Sequence, residues 1–151
     1  LWMSDQDENQ SSLVSVTIPS NAKFLKIVRR VTKTYFQAHP FPDEDIRHIV
    51  LAVDEACSNV IKYAYNLDET KKIRVSLSGV PNGIKISIRD YGVKADLDAI
   101  KPRDLDEVRP GGLGIHFMRS VMDEMDYDLS PEVGTCLTLI KRYPETGGIT
   151  A

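Results

Sequence analysis

Residues 43–65 read DEDIRHIVLAVDEACSNVIKYAY, and this stretch predicts the long helix around which the domain is built. Its apolar residues recur at the three- and four-residue spacing of one helix face, and they are Ile46, Ile49, Val50, Val53, Cys57, Val60 and Ala64. Asp43 follows Pro42 and is predicted to cap the helix, because its carboxylate can accept hydrogen bonds from the first free N–H groups.

Two polar side chains border the apolar face of this helix. Glu55 and Asn59 are four residues apart, so at about 3.6 residues per turn they share one side of it. An amide oxygen is a hard, neutral ligand for Mg²⁺, and a carboxylate can accept a proton from an attacking hydroxyl, so the pair suits phosphoryl transfer. Taken alone, the pair favours an ordinary solvated stripe, because Glu and Asn are common on exposed helix surface.

Composition excludes several classes of function. The chain has 151 residues, enough for one domain with a sizeable core, and 42% hydrophobic with 27% charged residues is typical of a soluble globular protein. A net charge of −3 without a basic stripe argues against nucleic acid as a partner. No apolar run approaches the roughly 20 residues of a membrane span, and the N-terminus is too polar for a signal peptide. Cys57 and Cys136 have no metal-ligand spacing and are predicted to be buried free thiols in a reducing cytoplasm.

The order of predicted elements indicates an α+β fold. Strand and helix patterns predict a two-layer α/β sandwich with a largely antiparallel mixed sheet and helices on one face. The charged residues 93–110 form a long loop that is predicted to be a lid. The domain is predicted to span residues 13–142, with flexible segments at 1–12 and 143–151. The predicted elements are a strand at Leu13–Ile18, a helix capped by Ser20 and ending near Gln37, the central helix, strands at Lys72–Ser78 and Gly83–Asp90, a helix at Ile115–Asp123, and strands at Tyr127–Ser130 and Thr135–Lys141.

A carboxylate at the end of a predicted strand is a candidate base-binding group. Asp90 closes an apolar strand and Gly92 follows, so the carboxylate can accept a hydrogen bond from an exocyclic amine such as that of adenine. Gly92 would let the base approach the backbone closely. Thr135, after Gly134, could support Asp90 through its hydroxyl. On their own, both sites are better explained as ordinary turns.

A glycine-rich segment opens the last predicted helix. Gly111, Gly112, Leu113 and Gly114 stand at its start, where exposed N–H groups at the positive helix end can hold phosphate. Such a helix start is weak evidence alone, and the sequence contains no G-x-x-x-x-G-K-[ST] motif.

The joint pattern is more specific than its parts. Glu-x-x-x-Asn on a helix, Asp-x-Gly after a strand, a long loop, Gly-Gly-Leu-Gly opening a helix and Gly-Thr before a strand together resemble the Bergerat or GHKL ATP-binding fold. Leu51–Tyr65 and Gly111–Asp126 resemble the matching segments of the small bacterial anti-sigma factor serine/threonine kinases. The resemblance covers about residues 13–142.

The resemblance implies a role for each helix residue and for the lid. Asn59 would ligate the Mg²⁺ that bridges the ATP phosphates, and Glu55 would be the general base that activates a seryl or threonyl hydroxyl. Arg109, in the lid of residues 93–110, would neutralise the γ-phosphate during transfer. Lys94 stands where the family often has a second glycine, and Tyr63 where it often has a histidine.

The resemblance also implies the nucleotide contacts. Asp90 would bind the adenine amine, with Gly92 and Thr135 beside it. The phosphates would be held by the glycine-rich segment, namely Gly111, Gly112, Leu113 and Gly114.

These roles together imply an anti-sigma-type kinase with ATP and Mg²⁺ as cofactors. Its implied partners are a sigma factor and a STAS-type anti-anti-sigma protein that receives the phosphate, and both a monomer and a homodimer stay open. The alternative is a non-catalytic, ATP-sensing switch that captures protein partners. Glu55 favours the enzyme, because binding alone needs no base.

Overall fold

The computed structural model describes residues 13–95 and 112–145. In chain order the helices and strands of these ranges are β1 (Val14–Pro19), α1 (Leu25–Gln37), α2 (Asp43–Asn59), β2 (Lys72–Val80), β3 (Gly83–Arg89), α3 (Gly112–Val121), β4 (Glu124–Asp128) and β5 (Cys136–Arg142). A short 3₁₀ helix, Ala22–Phe24, precedes α1, and a π-helical turn, Val60–Ala64, continues α2.

The strands form one sheet in the order β1-β2-β3-β5-β4. All four strand pairings within the described ranges are antiparallel, and Val80 pairs with Gly83 across a two-residue turn. The predicted α+β fold class is confirmed. Alternating apolar residues of the three central strands join the helices in one core, and they are Ile73, Val75, Leu77, Ile84, Ile86, Ile88, Leu137 and Leu139.

The central helix differs from its prediction at both ends. Asp43 lies in the first turn rather than at the cap, because Pro42 has the extended backbone of the cap position. At the other end the α-helix stops at Asn59 instead of reaching Tyr65. The Tyr65 N–H donates to the carbonyl of Val60 at 3.0 Å, a five-residue step that widens the last turn into a π-helix.

The start of the first helical region also differs from its prediction. Asn21 rather than Ser20 is the cap, because its side-chain oxygen accepts the Lys23 N–H at 3.0 Å. The Ser20 hydroxyl is buried and has no hydrogen-bond partner among the described residues. The cap therefore lies one residue later than the residue type suggested.

Three predicted elements moved or lie outside the described ranges. The last helix begins at Gly112 rather than Ile115, and the strand predicted at Tyr127–Ser130 lies at Glu124–Asp128. Most of the predicted lid, residues 96–110, lies outside the described ranges. The same holds for residues 1–12 and for the last six residues of the predicted tail.

Helix packing brings the two predicted catalytic segments together. Helix α2 packs against both α1 and α3, and Met118 of α3 is fully buried in the shared core. Cys57 and Cys136 are buried free thiols, as predicted, and burial raises the pKa of Cys57 to about 12. Within residues 13–95 and 112–145, no helix is long and apolar enough to cross a membrane.

Candidate functional site

The predicted site residues that the structure describes lie on four chain segments. They are the C-terminal half of α2, the chain just after β3, the first turn of α3 and the start of β5. The structure brings together Asp90, Gly92 and Thr135 at one place and Glu55 and Gly114 at another. Arg109 and Gly111 lie outside the described residues, and so does the side chain of Leu113.

Asp90 is a buried carboxyl group with only 5% of its surface exposed. Its Oδ1 accepts the Gly92 N–H at 3.0 Å, and its own N–H donates to the carbonyl of Thr135 at 3.0 Å. Burial raises the pKa of Asp90, although the N–H groups of Gly92 and Thr135 and the charges of Arg89 and Lys94 oppose this rise. A carboxylate so placed retains lone pairs that can accept a bond from an exocyclic amine.

The raised pKa of Asp90 gives a testable pH dependence. The folded protein holds the Asp90 proton more tightly than the unfolded chain, whose value is 3.8, so ionisation costs stability as the pH rises through the folded pKa. Asp90→Asn removes this titration. We expect its free energy of unfolding to rise relative to wild type from about pH 3.5, below the unfolded value, to pH 7, as measured by urea denaturation at both pH values. An equal difference at both pH values would contradict the raised pKa.

Gly92 joins the Asp90 loop to the π-helical turn. A Cβ at this position would lie 2.2 Å from the carbonyl oxygen of Ala64 and 2.7 Å from Cδ1 of Tyr65. The Val93 N–H donates to that same Ala64 carbonyl at 2.8 Å. Gly92 is therefore needed where two backbones touch, in addition to any approach by a base.

Tyr65 ties the same two segments together through its hydroxyl. The hydroxyl donates to the carbonyl of Lys72 at 2.5 Å and accepts the Tyr91 N–H at 2.8 Å. The helix that carries Asn59 is thus held against the loop that carries Asp90. The sequence analysis missed this link, because the π-helical turn that makes it leaves no periodic signal.

Thr135 contacts Asp90 through its backbone rather than through its hydroxyl. The Thr135 carbonyl accepts the Asp90 N–H, whereas its Oγ1 accepts the N–H of Ala95 at 3.1 Å. The preceding Gly134 has φ +78°, and a Cβ there would lie 2.1 Å from the carbonyl oxygen of Asp90. The Thr135 hydroxyl thus holds the start of the predicted lid at Ala95, whereas the Thr135 carbonyl holds the backbone of Asp90.

Lys94 holds the start of the predicted lid against the β4–β5 connection. Its ammonium donates to the carbonyls of Leu129 at 2.6 Å and Gly134 at 3.1 Å, and also to that of Pro131. An ammonium has three donors, so these three carbonyls satisfy it. Sequence reasoning could not find this contact, because its acceptors are main-chain groups of a distant loop.

Glu55 and Gly114 are immediate neighbours across the α2–α3 contact. A Cβ built on Gly114 would lie 2.0 Å from Oε1 and 2.5 Å from Cδ of Glu55. The Glu55 carboxylate therefore rests against the first turn of α3, where phosphate was predicted to bind. Among the described residues the Glu55 carboxylate has no hydrogen bond or ion pair. A carboxylate is a group that can accept a proton.

Asn59 ends α2 at its junction with the π-helical turn. Among the described residues its side chain has no hydrogen-bond partner. An amide oxygen is one of the ligand types that suit Mg²⁺. No group of three or more His, Cys, Asp or Glu in the described ranges could hold a metal ion. A single amide oxygen, that of Asn59, fits Mg²⁺ that binds together with phosphates, since Mg²⁺ is commonly bound by one or two protein ligands plus substrate phosphates.

Comparisons with known proteins agree with this arrangement. The chain matches the histidine kinase-like ATPase domain over residues 18–141. It is similar to serine-protein kinase RsbW of Halalkalibacterium halodurans, with 26% identity over 88% of this chain and 85% of the relative. Serine-protein kinase RsbW of Staphylococcus aureus is 28% identical over 87% of this chain and 88% of its own length.

A solved structure shares the fold. The crystal structure of the RsbU and RsbW domains of a Mycobacterium tuberculosis protein matches with a TM-score of 0.58 and 17% identity. The match covers 87% of this chain and 32% of that longer chain. At 17% identity, this structural similarity shows that the two chains share a fold and nothing more specific.

Proposed function

Because the chain belongs to the histidine kinase-like ATPase domain family, we propose that it binds Mg-ATP and phosphorylates a serine or threonine of a partner protein. The observation that carries this proposal is the contact between Glu55, a proton acceptor, and Gly114, in the predicted phosphate-binding turn. Two further observations support it. The relatives are serine-protein kinases, and the buried carboxyl of Asp90 is suited to adenine.

Each residue contributes one interaction to the proposed reaction. Asp90 accepts a hydrogen bond from the adenine amine, and the first turn of α3 donates N–H groups to the phosphates. The Asn59 amide oxygen would hold Mg²⁺, and the ion would neutralise charge on the phosphates. Arg109 and Gly111 remain predictions for γ-phosphate neutralisation and phosphate binding.

Glu55 acts on the acceptor hydroxyl. As the hydroxyl oxygen forms its bond to the γ-phosphorus, Glu55 accepts the hydroxyl proton, and the bond from the γ-phosphorus to the ADP oxygen breaks. The products are a phosphorylated side chain and ADP. We propose a STAS-type anti-anti-sigma protein as the acceptor and a sigma factor as the protein that the unphosphorylated antagonist releases.

Calorimetric titration with Mg-ATP tests the nucleotide site. We expect wild type to bind one Mg-ATP and Asp90→Asn to bind about tenfold to a hundredfold more weakly, because an amide cannot replace a charged acceptor. Asp126→Asn is the matched control, since Asp126 is exposed on the edge strand β4.

The two failures of this experiment have different meanings. Equal affinities for wild type and Asp90→Asn would overturn the adenine assignment alone. Absence of Mg-ATP binding by wild type would overturn the proposed kinase function.

A further inference from the structure

Position 114 has a glycine that its own backbone does not require. Gly114 lies within α3 and lacks the positive φ that marks Gly134. In a helix, alanine is favoured over glycine by about 1 kcal/mol. The glycine must therefore be explained by what lies beside it.

The side chain of Glu55 occupies the space that a residue-114 side chain would fill. The added Cβ would overlap three consecutive Glu55 atoms, with Oε1 at 2.0 Å, Cδ at 2.5 Å and Cγ at 2.6 Å. A small rotation of the carboxylate would not relieve this overlap, because Cγ is also too close. The whole Glu55 side chain would have to leave its position.

We propose that Gly114 is a positioning residue for Glu55, whose carboxylate rests in the space left by the missing side chain. This inference rests on the proposed function, in which Glu55 is the base. A general base must come within about 2.6–3.2 Å of the oxygen whose proton it takes. A displacement of Glu55 by a side chain at 114 therefore removes it from reach, even while nucleotide is bound.

The two roles of Gly114 make different predictions. A glycine that only lets phosphates approach would, on substitution, weaken Mg-ATP binding whatever residue stands at 55. A glycine that makes room for Glu55 would be replaceable once the Glu55 side chain is gone. The two roles are therefore distinguished by substituting Gly114 in proteins with and without the Glu55 side chain.

A double-mutant cycle without nucleotide tests the steric part. The four proteins are wild type, Gly114→Ala, Glu55→Ala and the double variant, each measured for the midpoint of thermal unfolding. We expect Gly114→Ala to raise the midpoint in the Glu55→Ala background, where only the helix preference for alanine remains, and to be clearly less favourable in the Glu55 background, where the Glu55 side chain must move. If Gly114→Ala is unfolded but the double variant is folded, the proposal is supported, because removal of the Glu55 side chain restores folding. Equal midpoint changes in both backgrounds would overturn it.

A kinetic experiment tests the positioning part. Transfer from Mg-ATP to a purified STAS-type antagonist protein is measured for Gly114→Ala and for the control Gly79→Ala, whose added Cβ has nothing within 4 Å. We expect Gly114→Ala to lower kcat by about tenfold or more with the KM for ATP within about threefold of wild type. An unchanged kcat with a raised KM would overturn the proposal. If wild type binds no Mg-ATP, the proposed function fails, whereas the thermal cycle still tests the Gly114–Glu55 contact.

Discussion

Glu55→Gln is expected to lower the rate of phosphoryl transfer by about 10²–10⁴-fold while Mg-ATP affinity stays within about twofold of wild type. The amide has nearly the shape of the carboxylate, so it fits the same space against Gly114. It cannot accept a proton from the acceptor hydroxyl, and a general base contributes about 10²–10⁴ in rate. The loss is measured as transfer of labelled phosphate from ATP to a purified STAS-type antagonist protein, with calorimetry on the same samples.

Glu44→Gln is the matched control for this experiment. Glu44 lies on the same helix, in its first turn, and is exposed. Transfer at the wild-type rate in Glu55→Gln would show that another group accepts the proton. Mg-ATP binding without transfer, in wild type and variant alike, would favour the non-catalytic switch over the kinase.

Gly134→Ala is expected to cause the largest loss of stability among the glycine variants considered. A residue with φ +78° costs about 1–2 kcal/mol when it carries a Cβ. The Cβ would also lie 2.1 Å from the Asp90 carbonyl oxygen and 2.6 Å from the Cα of Tyr91, both backbone atoms that cannot rotate away. Overpacking of this kind adds about 1–3 kcal/mol. We therefore expect the free energy of unfolding to fall by about 2–5 kcal/mol.

The same substitution should also remove nucleotide binding. Gly134 precedes Thr135, whose carbonyl accepts the Asp90 N–H. A Cβ at position 134 would push these two segments apart and displace the Asp90 carboxylate. Urea denaturation and Mg-ATP calorimetry measure the two effects, with Gly79→Ala as the control. A free energy of unfolding within about 0.5 kcal/mol of this control would contradict the close contact at Gly134.

The fold class could be predicted from local patterns. Period-two alternation in β2 and β3 and helical periodicity in α1 and α2 each depend on which face of an element is buried, and a single segment carries that information. The resemblance of the joint motif pattern to the GHKL ATP-binding fold is confirmed by the match to the histidine kinase-like ATPase domain. The individual site residues stay predictions until they are tested.

Element ends were less predictable, because they depend on partners elsewhere in the chain. The strand placed at Tyr127–Ser130 lies at Glu124–Asp128, where its residues pair with β5. The α-helical part of the central helix ends at Asn59, where a π-helical turn begins, and the Ala64 carbonyl at the end of that turn accepts the N–H of Val93. Neither event is visible in the periodicity of the segment concerned.

The amino-acid order of this protein therefore specifies which faces are apolar, which elements form and which polar residues flank them. The folded chain adds the contacts between segments far apart in sequence: Gly114 against Glu55, Gly134 against Asp90, and Lys94 on the carbonyls of the β4–β5 connection. The physical reason is that these contacts involve backbone atoms or an absent side chain. Their energies depend on distances of closest approach, which are established only when the elements pack.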